Sequence, residues 1–271
     1  MISVDLHTHT KCSHGKNSPR EMFAEALRLG LETQGFSEHS PRPSGYDYPS
    51  EYREQLVRLF PSYVEEVLAL KREYPGKVLL GIEMDWFDKE LPFIEKAIRS
   101  YDFDYLIGSV HFIGDWGFDA DPLVWKDAPH EWCVQHYEAY FASLTRMVES
   151  GLFNIAAHLD LVKIFSVEHF RRWLQEDGLQ TVKRCLLALQ KSEVSLELSS
   201  AGLRKPCREI YPGPEIMRLA AELDLCLSFG SDAHQIKELA FAFDQLSAYA
   251  ASFGFTKGRC RINGAWRDLS L

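Results

Sequence analysis

Seven short apolar runs punctuate the chain, at residues 2–6, 33–37, 78–82, 104–110, 153–157, 194–198 and 225–230. Most are nearly continuous in apolar character, as expected of strands buried on both faces of a parallel sheet. Between them, apolar residues recur at i, i+3, i+4 and i+7. The sets are Phe23, Ala26, Leu27 and Gly30; Val182, Cys185, Leu186 and Leu189; Ile216, Leu219, Ala220 and Leu223; and Leu239, Ala242, Phe243 and Leu246. Each draws one buried stripe along a helix. The first helix also carries a start signal: Ser18 as N-cap, Pro19 in the first turn and Glu21 three residues past the cap.

Strict alternation of strand and helix predicts a parallel sheet with right-handed crossovers. An open doubly wound sheet and a closed barrel both satisfy it, and the polar residues decide between them. Of ten histidines, seven stand at or just beyond the C-terminal end of a predicted strand. The first strand runs into His7 and His9, with His14 in the following loop. The second ends in Glu38 and His39, the third in Glu83, the fourth in His111 and the fifth in His158 and Asp160. The sixth leads into Gly202, Arg204 and Lys205, and the seventh into Asp232 and His234. A closed barrel gathers all strand C-termini around one mouth, whereas an open sheet spreads them along a line where few could meet, so a distorted seven-stranded (β/α) TIM-like barrel is predicted. With 271 residues, the chain is long enough for one such domain spanning 1–271.

The residue types at these tips suit metal. Neutral imidazole and carboxylate are usual ligands for zinc, iron or manganese in hydrolytic sites. In an extended segment His7 and His9 point the same way, as do Asp232 and His234. Glu83 is placed to bridge two ions. Glu38 and Asp160 adjoin ligand candidates and could orient an imidazole from behind, and Glu197 is placed to face the barrel interior. Arg204, Lys205 and Lys163 are the cations expected to meet a phosphate. His130, His136 and His169 lie in helical or loop segments and read as ordinary structural residues, as do Cys12 and Cys226.

A net charge of −9 supplies no global attraction for nucleic acid or anionic membrane. An anionic substrate therefore needs local cations. The six cysteines form no C-x-x-C pair and read as reduced thiols. The N-terminus lacks the apolar stretch of a signal peptide, and no run is long enough to span a membrane, so a cytoplasmic protein is expected. The oligomeric state stays open.

His7-x-His9, His14, Glu38-His39, Glu83, His111, His158 and Asp232-x-His234 together resemble the polymerase and histidinol phosphatase (PHP) family. Three stretches, residues 7–15, 108–112 with the later Phe118-Asp119, and 201–205, are similar to its histidinol-phosphate phosphatase branch. The resemblance implies three divalent ions. One would be held by His7, His9, Glu83 and Asp232, a second by Glu83, His111 and His158, and a third by His14, His39 and His234. The expected reaction is hydrolysis of L-histidinol phosphate in histidine biosynthesis, by a metal-bridged hydroxide attacking phosphorus. Asp232, His234 and Arg204 would serve catalysis, and the loop Asp115–Asp119 would wall the substrate. Rival readings are a phosphoesterase of other specificity, a nuclease, an amidohydrolase-type enzyme, or a metal-holding interaction domain without catalysis.

Overall fold

The computed structural model describes residues 2–46 and 50–271. Its strands are β1 (Val4–Asp5), β2 (Thr33–Phe36), β3 (Val78–Asp85), β4 (Tyr105–Ser109), β5 (Phe112–Ile113), β6 (Trp116–Gly117), β7 (Ile155–Ala156), β8 (Ser195–Ser199), β9 (Leu227–Gly230), β10 (Lys257–Ile262) and β11 (Ala265–Ser270). Its helices are α1 (Pro19–Arg28), α2 (Ser50–Glu73), α3 (Leu91–Ile98), α4 (Pro122–Lys126), α5 (His130–Glu149), α6 (Val167–Trp173), α7 (Leu179–Ser192), α8 (Pro214–Glu222) and α9 (Phe243–Ser252).

One seven-stranded parallel sheet has the order β1-β2-β3-β4-β7-β8-β9. Its edges approach each other: the Leu6 amide donates to the Phe229 carbonyl at 2.9 Å, and that of His9 to Ala233 at 2.8 Å. The sheet is thus a nearly closed (β/α) barrel, at the seven positions expected from the apolar runs. Strands β3 and β8 are buried along their whole length, which is why they read as runs rather than alternations.

Tyr105 fills the interior near the base of the barrel. Its hydroxyl donates to the Leu6 carbonyl at 2.6 Å. Its ring lies where side chains at 35 and 81 would go: a Cβ on Gly35 would sit 2.2 Å from the Tyr105 hydroxyl, and one on Gly81 2.5 Å from the ring. Those two positions must be glycine for the tyrosine to cross.

The Ser18 capping box forms as expected, its hydroxyl accepting from the Glu21 amide while the Glu21 side chain returns to the cap amide. The helix predicted from Leu239 is a correction. Ala240 and Ala242 have positive φ (51° and 53°), and the helix begins only at Phe243. The Asp5 carboxylate accepts the Ala240 amide at 3.0 Å and holds the approach as a loop. The buried stripe survives through Leu239, Phe243 and Leu246.

Two antiparallel hairpins lie outside the seven units. The β5–β6 hairpin stands on the mouth side, directly after β4. The β10–β11 hairpin meets the N-terminal ends of the strands: Ser195 Oγ donates to the Arg259 carbonyl at 2.7 Å, and the Asn263 amide to the Asp104 carbonyl at 2.7 Å. Among the described residues no helix is long and apolar enough to cross a membrane.

Candidate metal centre

Because β1 is extended, His7 and His9 both project from its C-terminal end into the barrel mouth. Neighbouring strand tips bring Glu83, His158 and Asp232 to the same point. His7 Nε2 lies 3.4 Å from Glu83 Oε2, and His9 Nε2 lies 3.2 Å from Asp232 Oδ1. Glu83 sits centrally. Its Oε2 also faces His39 Nδ1 at 2.8 Å, while its Oε1 faces His158 Nε2 at 3.1 Å and His111 Nε2 at 3.7 Å. His14 stacks on His234 with ring centroids 4.1 Å apart, and His234 on His9 at 4.3 Å.

Three overlapping triads have ligand atoms within 4.8 Å of one another: His7, His9 and Asp232; His7, Glu83 and His158; and His9, His39 and His234. The expected grouping differs at the edges, because His14 and His111 stand just outside these triads.

What turns the imidazoles inward is a ring of acceptors and donors behind them. Glu197 Oε1 meets His7 Nδ1 at 2.6 Å, and Glu38 Oε1 meets His9 Nδ1 at 3.3 Å. Asp85 Oδ1 meets His111 Nδ1 at 2.5 Å, and the Tyr52 hydroxyl meets His14 Nδ1 at 2.8 Å. The Asp232 carbonyl faces His234 Nδ1 at 3.0 Å. Each contact fixes a ring by one nitrogen and aims the other at the centre, as behind metal-ligating histidines. Correspondingly, the Nε2 atoms of His7, His9 and His234 and Oε2 of Glu83 are buried with no hydrogen-bond partner among the described residues. Buried polar atoms are rarely left so. These donors fit divalent cations, being imidazole nitrogen and carboxylate oxygen in overlapping groups.

Charge follows the same layout. Burial works to raise Glu83, but His39, His7 and His111 hold its carboxyl well below the usual range. Burial is likewise overcome at Asp232 by Lys205 and His9. Burial opposes a charge on His9, yet Asp232 and Glu38 push its pKa up to about 9. His111 rises to about 9 against burial, through Asp85 and Glu83. His14 falls to about 4, chiefly by burial and then by the nearby His9 charge. Imidazole binds metal in its neutral form, the form that burial favours at His14, His39 and His234.

The backbone is strained at two of these tips. His158 has φ 22° and Asp232 φ 50°. Such strain collects where a site dictates side-chain direction. Glu197 Oε2 accepts the His158 amide at 2.8 Å and so steadies that turn. Gly230 leaves room for the arrangement, since a Cβ there would lie 2.4 Å from Glu197 Oε1 and 2.5 Å from His7 Cβ.

A cleft of about 340 Å³ opens over the cluster, lined among others by Arg42, Tyr52, Phe112, Asp119 and Lys205. Lys205 Nζ lies 3.6 Å from Asp232 Oδ2. The other two expected cations, Lys163 and Arg204, are not among its lining residues. Lys163 is buried in an ion pair with Asp160 (2.7 Å) and Glu209 (2.8 Å), beside a separate cavity. The 3-10 turn Leu161–Lys163 carries it under the rim. Asp160 therefore serves Lys163 and the Gly213 amide (2.8 Å), not the His158 ring. Arg204 lies behind Asp232: its Nη2 donates to the Ser231 and Asp232 carbonyls at 2.6 and 3.1 Å. Its Nε and Nη1 have no hydrogen-bond partner among the described residues.

Arg42, Asp85 and Tyr52 went unread in the sequence. Arg42 Nε pairs with Asp85 Oδ2 at 2.7 Å, and its guanidinium lies over the Tyr52 and Phe112 rings. Asp85 follows the tip residue Glu83 at the strand's period-two spacing, the one signal that marked it. His130, His136 and His169 stand outside the cluster. His130 Nδ1 faces His169 Nδ1 at 3.2 Å, and His136 packs on Trp132.

A barrel that gathers imidazoles and carboxylates at its strand tips, under an open cleft, is the architecture of a metal-dependent hydrolase. The family model for the PHP domain matches residues 5–201, and the chain belongs to that family. A Deinococcus radiodurans protein named a probable histidinol-phosphatase is 37% identical over 242 residues, 88% of this chain and 89% of its own. The histidinol-phosphatase of Bacillus subtilis is 28% identical over 267 residues, 90% of this chain and 98% of its own. A solved Lactococcus lactis histidinol phosphate phosphatase, complexed with zinc, L-histidinol and phosphate, superposes with a TM-score of 0.76 at 21% identity. That match covers 98% of this chain and 99% of the other and shows the common fold.

Proposed function

We propose that this protein is a metal-dependent phosphatase that hydrolyses L-histidinol phosphate to L-histidinol and inorganic phosphate. The observation that carries the reading is the convergence of partnerless Nε2 atoms on Glu83 and Asp232, at the floor of a cleft that also presents Lys205 and Arg42. The names of the relatives supply the substrate.

His7, His9, His14, His39, Glu83, His111, His158, Asp232 and His234 would hold three divalent ions of zinc, manganese or iron. Bound there, such ions supply Lewis acidity to the phosphoryl oxygens and lower the pKa of a coordinated water. The chain's own residues do the positioning. Glu197, Glu38 and Asp85 hold His7, His9 and His111 by Nδ1. Lys205 would add positive charge where the phosphate rests, and Arg42 would add more from the loop after β2. Arg204 steadies the backbone on which Asp232 rides, and Asp232 and His234 border the reacting group.

The test is phosphate release from L-histidinol phosphate beside sugar, alcohol and nucleotide phosphates, an amide panel and single-stranded DNA, with metal analysis of the same sample. L-histidinol phosphate is expected to be the best substrate. A metal-loaded sample inert towards it but active on another ester would sink the reading.

A further inference from the structure

The first and last strands close the barrel, and their seam is out of step. The Leu6 amide donates to the Phe229 carbonyl, and the His9 amide to the Ala233 carbonyl. Between these two bonds the N-terminal chain advances three residues, while the chain leaving β9 advances four. The extra residue acts as a bulge does: pairing is lost locally and a side chain is re-aimed. It falls within residues 230–232, where Asp232 takes its positive φ of 50°.

Two side chains collect the backbone groups that the interrupted ladder leaves over. Arg204 donates to the Ser231 and Asp232 carbonyls from one side. Asp5 works from the other. Its Oδ1 accepts the Ser231 amide at 3.0 Å and the His7 amide at 3.4 Å. Its Oδ2 accepts the Ser231 hydroxyl at 2.6 Å and the Ala240 amide at 3.0 Å. Asp5 and Ser231 are fully buried, so water does not compete for these bonds. One carboxylate therefore grips the residue before Asp232 while standing two residues ahead of His7. Across the seam His7 Nε2 and Asp232 Oδ1 come to 3.8 Å, with His9 Nε2 3.2 Å from the same oxygen.

We infer that Asp5 is a positioning residue: it fixes the spacing of His7 and Asp232 across the seam and so sets the affinity for the cation these two share with His9. The inference rests on the metal-site reading above and is independent of which ester is cleaved. A carboxylate suits the task because it is purely an acceptor, and hydrogen bonds to a charged acceptor are the strong ones. An amide in its place would turn an N–H group towards the Ser231 or Ala240 amide, neither of which can accept it. The bulge would then relax, and Asp232 would lose its aim.

The experiment compares the wild type with three variants. Asp5→Asn keeps the shape, Ser231→Ala removes a single donor and spares the carboxylate, and Ser195→Ala removes a hydrogen bond at the opposite end of the barrel. Zinc affinity is read by competition with a chelating dye, stability by urea unfolding, and turnover at low and at saturating zinc. In Asp5→Asn one zinc equivalent should weaken about 10–100-fold, with kcat returning to within a few-fold of wild type at saturating zinc. Ser231→Ala should weaken the same equivalent about fivefold. Ser195→Ala should lower the urea midpoint and leave every zinc affinity in place. Wild-type zinc affinities in Asp5→Asn and Ser231→Ala, with only the midpoint lowered, overturn the assignment and make the clasp purely structural. A kcat that stays low at full zinc occupancy overturns it too, because the defect then lies outside cation affinity. Should Asp5→Asn not fold, Ser231→Ala decides alone, and an unmoved zinc equivalent there overturns the inference. A wild type that keeps no zinc against the dye overturns the metal-site reading, and this inference with it.

Discussion

At the C-terminal ends of the strands, Glu83 and Asp232 lie buried among imidazoles, with strained backbone at His158 and Asp232. At the N-terminal ends, the β10–β11 hairpin turns Gly258, Cys260 and Ile262 inward and Lys257 and Arg259 outward, with all its ladder partners paired. One end leaves polar atoms unpaired and crowds like groups together, which costs stability. The other covers the barrel base with buried Gly258, Cys260 and Ile262. The contrast separates two jobs. Stability is drawn from the base and the surrounding helices, and the mouth spends some of it on holding cations. Substitutions at the two ends should therefore fail in different ways.

The largest effect belongs to the mouth. His9→Ala or Asp232→Ala should lower kcat by at least about a thousandfold and strip metal, read by phosphate release and elemental analysis. Normal turnover in either variant would refute the ligand assignment. The converse is Ile262→Ala at the base, expected to cost about 2–4 kcal/mol in urea unfolding through the cavity it leaves. Its kcat per folded molecule should stay close to wild type, and a large loss there would erase the contrast between the two ends. Glu197→Gln sharpens the comparison from within, because it keeps the packing and withdraws a charge from behind His7. Metal affinity should drop about 10–100-fold, measured by competition with a chelating dye. Arg204→Ala comes next. If the arginine steadies Asp232, metal content falls together with kcat; a higher KM with full metal content would return Arg204 to the phosphate. The smallest effect is expected of Lys205→Ala, a rise in KM of roughly tenfold with metal content retained, since its charge is partly exposed.

Much of the mouth was legible because β-strands impose a simple rule. A polar residue that interrupts an apolar run at its C-terminal end has one place to go in a parallel barrel, and His7, Glu83, His111 and Asp232 obeyed it. The Ser18 start of α1 was legible for the same reason: its partners are three residues away. Contacts between distant segments were not. Arg42 meets the cluster from the loop after β2 and Tyr52 from the first turn of α2, neither of them at a strand tip, and Lys163 looked free until Asp160 and Glu209 closed on it. The Leu239 stripe suggested a helix, because apolar spacing does not reveal that a carboxylate from β1 holds the chain open there. The terminal hairpin alternates plainly along β10, but a (β/α) pattern gives no cue that a final β segment folds back under the barrel.

Tyr105 carries a lesson about the order in which such a molecule can change. Its ring occupies the space of two absent side chains, so the tyrosine and the glycines at 35 and 81 form one unit written in three distant places. A lineage that first shrinks residue 105 gains room and can afterwards accept alanine at Gly81, while at Gly35 the Leu6 backbone, 3.1 Å from such a Cβ, would still have to give. Taken in reverse, the first step drives a methyl group into a filled barrel. Related chains should accordingly contain a small residue 105 with glycines still in place more often than a tyrosine facing alanine, and the interior of this barrel can be remodelled along one route only.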